Sequence, residues 1–197
     1  KGVVLTHANL AANIEAFAGP SGVGARPDDI AVSWLPLNHD MGLVGMALGA
    51  VHARVPAVLL TPEMFVKRPV EWLRAISRHH GTISFAPNFA YDLCVRRVKD
   101  KEMAGLDLSS WRVALNGAEP VSPATLERFA RRFARFGFAR EAMTPVYGLA
   151  ECSVALAFPP PGRGPRIDRV SRAAFQRDGR ADTAGSEDAG ALEFVSA

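Results

Sequence analysis

Three short stretches hold residues whose types and spacing could do chemistry. VYGLAE (146–151) sets a tyrosine, a glycine and a carboxylate within five positions. The Tyr147 ring can lie against a nucleobase, Gly148 lets the backbone turn beneath it, and Glu151 can hold Mg²⁺ among phosphate oxygens. A core tyrosine beside an exposed glutamate would use the same residues. ALNGAEP (114–120) ends an apolar run in Asn-Gly. Gly117 would allow close approach of a flat ligand, and Asn116 offers both a donor and an acceptor to a purine edge. A plain strand-to-helix turn also draws on Asn, Gly and Pro. WLPLNHDMG (34–42) sets His39 beside Asp40, which raises general-base chemistry, although neighbours in sequence seldom face each other. Asp40 would equally well cap a helix.

These stretches need elements to position them, and the chain alternates between strand-like and helical patterns. GVVLT (2–6) reads as a short β-like run. Thr6 then caps a helix through Phe17, with Leu10, Asn13, Ile14 and Phe17 near one face. IAVSWLP (30–36), VPAVLL (55–60), TISFAP (82–87), WRVALNG (111–117), TPVYG (144–148) and SVALAF (153–158) read as strands. Between them, MGLVGMALGAVHA is rich in small helix formers. Pro69 opens a helix to about His80, stopped at Gly81. NFAYDLCVRRV is helical. Ser122-Pro123 caps a helix with Leu126, Phe129, Ala130 and Phe133 on one face. The order predicts an α/β fold, a mainly parallel sheet flanked by helices. Such sheets bind ligands at the carboxyl ends of their strands, where all three stretches fall. Residues 1–158 form the expected α/β portion. Residues 159–197 read as a loop-rich insertion, with a short helix near RVSRAAF, leading into a further strand.

The 197 residues are 48% apolar, as in ordinary globular proteins. A net charge of +3, from 23 basic and 20 acidic residues, comes with no nucleic-acid-binding signature, so nucleic acid is excluded as a partner. The most apolar window contains His52, Arg54 and Pro56, which argues against a membrane span. Cys94 and Cys152 form no C-x-x-C pair. Both read as small buried residues in a reducing cytoplasm. The opening Lys1-Gly2, without Met, and the closing ALEFVSA read as the edges of a piece of a longer protein. Lys1-Gly2 itself could finish a phosphate-holding loop.

Taken together, KGVVLTHANL, LPLNHDMGL, ALNGAEPV and PVYGLAE resemble the adenylate-forming ligases. Within them the chain is most similar to the fatty acyl-AMP ligase branch, which its tail RIDRVSRAAFQRDGRA also resembles. The three internal motifs are specific jointly rather than singly. The resemblance implies the N-terminal domain of an enzyme that converts a fatty acid and ATP to acyl-AMP and pyrophosphate. The acyl group then passes to an acyl carrier protein, or to a carrier domain of a polyketide or peptide synthase. It implies that Gly117, Ala118, Glu119 and Pro120 line one side of adenine, with Asn116 at the pocket edge. Tyr147, Gly148, Leu149 and Ala150 form the other side. His39, Asp40, Met41 and Gly42 border the acyl and carboxylate site. Glu151, holding Mg²⁺, and His39 are the candidate catalytic groups. Ala150 stands where many family members carry a threonine, so one hydroxyl to phosphate is missing, a feature familiar in the acyl-AMP ligase branch. Residues 159–190 would be the segment that limits domain rotation and disfavours coenzyme A. An acyl-CoA synthetase, or a non-catalytic adenylate-binding module, would share the same motifs. Residues 1–197 alone are expected to release no pyrophosphate from ATP and a fatty acid; release by the purified piece would contradict this.

Overall fold

The computed structural model describes residues 2–196. Chain order runs α1 (His7–Ala18), β1 (Ala31–Ser33), a π-helix (Met41–Leu48) continuing into α2 (Gly49–Ala53), β2 (Ala57–Leu59), α3 (Pro62–Lys67) and α4 (Val70–His79). It continues β3 (Ile83–Ala86), α5 (Asn88–Arg97), β4 (Val113–Asn116), α6 (Pro123–Phe133) and β5 (Met143–Pro145). Last come β6 (Arg166–Val170), α7 (Arg172–Asp178) and β7 (Leu192–Ser196).

Strands β1 to β5 form one parallel sheet in the order β2-β1-β3-β4-β5. β1, β3, β4 and β5 are buried at every position, which is why their sequences are mostly apolar, with one buried polar residue each (Ser33, Ser84, Asn116 and Thr144). Trp72 on α4 and Trp111 before β4 meet edge to face at 5.1 Å, and Tyr91 on α5 meets Phe129 on α6 at 5.0 Å. This aromatic layer fixes α4, α5 and α6 on the sheet. The expected caps are present: Thr6 Oγ1 accepts from Asn9 N–H at 3.1 Å, and Ser122 Oγ from Thr125 N–H at 3.4 Å.

A polar strut holds the amino ends of the strands. Asp29, Thr82 and Arg112 lie just before β1, β3 and β4. The buried Asp29 carboxylate pairs with the Arg112 guanidinium through two nitrogens and accepts from Thr82 Oγ1 at 2.7 Å and Arg26 N–H at 2.7 Å. Arg112 also donates to the Val23 and Gly24 carbonyls, so it ties the loop after α1 to the sheet.

Several expectations are corrected. Residues 2–6 form no strand; Val4 is 94% exposed and no described neighbour pairs with the segment. Residues 153–158 fold back over Tyr147 through one antiparallel bridge, Tyr147 to Ala157. They are held there by Asn13, whose amide both donates to and accepts from the Ala155 backbone, at 2.8 and 3.1 Å. Helix α4 ends on His80 in the left-handed region (φ 52°). Gly81 serves another purpose, since a Cβ there would sit 2.5 Å from Val32 Cγ2. After residue 158, α7 covers the short helix expected near RVSRAAF, β6 and β7 pair antiparallel, and Arg169 donates to the Gly185, Ser186 and Asp188 carbonyls. Cys94 is buried as expected, but Cys152 is half-buried. Among the described residues, no helix is long and apolar enough to cross a membrane.

Candidate active site

The carboxyl ends of β1, β4 and β5 release the chain into the three chemistry-bearing stretches on one edge of the sheet. A cavity of about 220 Å³ opens among them. His39, Asp40 and Met41 line it from the β1 side, Ala118 from the β4 side, and Tyr147, Gly148 and Leu149 from the β5 side. Sequence reasoning missed its apolar back wall, formed by Phe17, Gly45, Phe85, Val154 and Phe158. Phe17 had registered as part of a helix face; its stacking on Phe158, with ring centroids 6.3 Å apart, is a long-range fact with no local signal.

Each glycine here has a distinct reason. Gly148 lets residues 153–155 cross directly over it, because a Cβ would stand 1.8 Å from the Val154 carbonyl oxygen. Gly117 admits the backbone of Val146, 2.7 Å from the position of a Cβ, so the close approach there is by β5's extension rather than by a ligand. Gly42 folds the start of the π-helix onto the Pro36 carbonyl. It is buried and does not line the cavity. Gly45 differs: a Cβ there would make ordinary contact with the Phe85 ring at 3.9 Å and Met41 Cγ at 4.0 Å, so a methyl fits without a clash and any larger side chain would take up cavity space. The wide turn of the π-helix brings both Met41 and Gly45 to the same wall.

Asp40 caps the π-helix, accepting from Met41 N–H at 2.7 Å. The same oxygen lies 2.8 Å from His39 Nδ1, so these neighbours do meet. Tyr147 is 59% exposed and lines the cavity. Ala118 holds φ at 70°, a left-handed conformation that costs an alanine about 1–2 kcal/mol.

The remaining candidates lie off the cavity wall. Asn116 is fully buried; its Nδ2 approaches Asn88 Oδ1 at 3.5 Å, while its Oδ1 has no hydrogen-bond partner among the described residues. Glu119 and Pro120 are exposed, and the Glu119 carboxylate turns to α5, accepting from Phe89 N–H. Ala150 and Glu151 share a short 3-10 turn, Ala150–Cys152, directly after the cavity-lining Leu149. Glu151 is exposed, makes no ion pair among the described residues, and faces a second open groove of about 460 Å³ shared with Val4, Leu5, Asn9 and Asn13. The segment after Gly2 therefore runs past Glu151; Lys1 itself lies outside the described residues. No cluster of three metal-ligating side chains occurs among the described residues.

On α6, Arg128 pairs with Asp92 and Arg132 with Asp100, and Arg135, just past the helix, also pairs with Asp100.

The family model for AMP-binding enzymes matches residues 1–177. A medium-chain-fatty-acid–[acyl-carrier-protein] ligase of Teredinibacter turnerae is 41% identical over 179 residues, covering 90% of this chain and 27% of that protein. A 4-hydroxyphenylalkanoate adenylyltransferase of Mycobacterium marinum is 43% identical over 189 residues, covering 90% of this chain and 30% of that one. Among solved structures, a fatty acyl-adenylate ligase from L. pneumophila, in complex with acyl adenylate and pyrophosphate, superposes with a TM-score of 0.94 at 39% identity. That match covers 100% of this chain and 34% of the other. The chain thus spans about a third of the length of the relatives it matches.

Proposed function

This chain belongs to the AMP-binding enzyme family, and from that premise we propose that the full-length protein activates a fatty acid with ATP. It forms acyl-AMP and pyrophosphate, then transfers the acyl group to the thiol of an acyl carrier protein or carrier domain. The observation that carries this reading is the apolar cavity opening at the sheet's carboxyl edge between His39–Asp40 and Tyr147. It offers an apolar wall for an alkyl chain next to an exposed aromatic face for a base.

A free carboxylate is a poor acyl donor because its leaving group would be oxide. In the proposed reaction a carboxylate oxygen attacks the α-phosphorus of ATP, the bond to the bridging oxygen breaks, and pyrophosphate leaves. The resulting mixed anhydride has AMP as its leaving group for attack by the thiol. The chain's contribution is alignment and charge stabilisation. Met41, Gly45 and Phe85 would hold the acyl chain, His39 and Asp40 would border the carboxylate, and Ala118 and Tyr147 would flank the adenine.

Mg²⁺ suits Glu151, exposed and without an ion pair among the described residues, since this ion binds through one or two carboxylates together with substrate phosphates rather than in a protein cage. Bound there, it would neutralise phosphate charge as a Lewis acid. The 2–6 segment shares a groove with Glu151, which supports reading it as the end of a phosphate loop. Residues 159–190, following the α/β portion 1–158, are proposed to restrain domain rotation and so disfavour coenzyme A.

ATP–pyrophosphate exchange by the full-length protein tests the reading. Exchange dependent on fatty or aryl-terminated alkanoic acids supports it, and no exchange with any carboxylate contradicts it. Supplying coenzyme A and acyl carrier protein in parallel identifies the acceptor: efficient acyl-CoA formation would overturn the carrier-protein assignment. The place of Gly45 in the cavity wall gives a sharper prediction. Gly45→Leu should raise KM for long-chain acids about tenfold while leaving the shortest accepted acid within about twofold, as expected for a site that loses room for one or two methylenes. Equal effects on all chain lengths would place the alkyl chain elsewhere.

A further inference from the structure

The loop between β4 and α6, residues 117–121, carries the strained Ala118 on the cavity wall. Strain at one residue persists only where the surroundings over-determine it. Here the surroundings are the amino terminus of α5. Asn88, the first residue of that helix, directs one side-chain oxygen at both ends of the loop. Oδ1 accepts from Ser122 N–H at 3.1 Å and approaches Asn116 Nδ2 at 3.5 Å. The Ser122 donor fixes which Asn88 atom is the oxygen, and that in turn fixes the Asn116 amide with its nitrogen towards Asn88.

The middle of the loop is held as well. Pro87, ahead of α5, supplies no side-chain cap. The Phe89 N–H is taken instead by Glu119 Oε1, thirty residues away in sequence. A carboxylate in this place also complements the positive end of a ten-residue helix. Loop entry and exit are thus tied to Asn88 and the middle to Phe89, two consecutive residues of α5.

We infer that Asn88 and Glu119 are positioning residues that preset the 116–122 loop for the nucleotide. Neither lines the cavity. They act through Ala118 and Asn116. The inference rests on the adenylation reading and deepens it, by assigning Glu119 to the loop's support rather than to the base itself.

Steady-state kinetics of the full-length enzyme test the clamp. Asn88→Leu removes the acceptor and should raise KM for ATP about tenfold, with KM for the fatty acid within about twofold. Asn88→Asp keeps an acceptor oxygen and should restore most of the lost affinity. Glu119→Ala, at an exposed residue, should raise KM for ATP in the same selective way and provides a second test should Asn88→Leu fail to fold. An unchanged KM for ATP in Glu119→Ala and Asn88→Leu, a parallel rise in both KM values, or failure of Asn88→Asp to rescue would each overturn the clamp. Wild-type enzyme separates the two levels: absence of exchange with every carboxylate defeats the adenylation reading, whereas normal wild-type exchange with unaffected variants defeats only the clamp.

Discussion

Glu151→Gln in the full-length enzyme is expected to lower ATP–pyrophosphate exchange by about 10²–10³-fold, the loss seen when one preorganised electrostatic group is removed from a reacting centre. Its stability should stay within about 0.5 kcal/mol of wild type, because the side chain is exposed and makes no ion pair among the described residues. The separation of the two effects is the point. A glutamate with no packing role that nonetheless abolishes turnover must act on substrate or its metal. Exchange rates and thermal midpoints of the same preparation check both halves. An unchanged rate would move the metal to another carboxylate.

Arg112→Leu is expected to have the opposite profile, a large loss of stability from a residue far from the chemistry. The substitution strands the Asp29 carboxylate in a buried position with only Thr82 and Arg26 as donors. Breaking a buried pair in this way costs about 3–5 kcal/mol, a large share of the 5–15 kcal/mol that typically holds a domain. Denaturant midpoints of the full-length protein measure it.

The same strut makes stability depend on acid. Burial works to raise the Asp29 pKa, but the hydrogen bonds from Arg112, Thr82 and Arg26, with the Arg112 charge, outweigh it and hold the carboxyl below its ordinary value. A group whose pKa is lower in the folded state contributes fully above its unfolded value, near about 4, and loses that contribution as pH falls through the folded value. The stability gap between wild type and Asp29→Asn should therefore be widest at neutral pH and narrow below about pH 4. A gap that stays constant to low pH would show that the pair contributes no proton-linked stability.

Local patterns carried most of this fold. Thr6, Ser122 and Pro123 announce helix starts by capping chemistry that acts within one turn, and the apolar runs of β1, β3, β4 and β5 betray burial on both faces. Long-range geometry was harder to read. SVALAF is apolar enough for a strand, yet Gly148 and the Asn13 amide bend it back over Tyr147, and neither constraint is visible from the segment itself. The motif residues also proved less uniform in role than their adjacency suggested. Ala118 and Tyr147 face the cavity, whereas Gly117 packs on Val146 and Glu119 on α5. Contiguity in sequence locates a loop; only the three-dimensional path decides which of its side chains face a ligand.

In the proposed reaction, the base and the acyl chain of one adenylate occupy the cavity between the β1, β4 and β5 exits. A crystal structure of the full-length enzyme with a non-hydrolysable acyl-adenylate analogue measures this directly. The expected result places the adenine between Ala118 and Tyr147 and the alkyl chain along Met41, Gly45 and Phe85. An analogue bound with its base remote from Tyr147, or with this cavity empty, would contradict it.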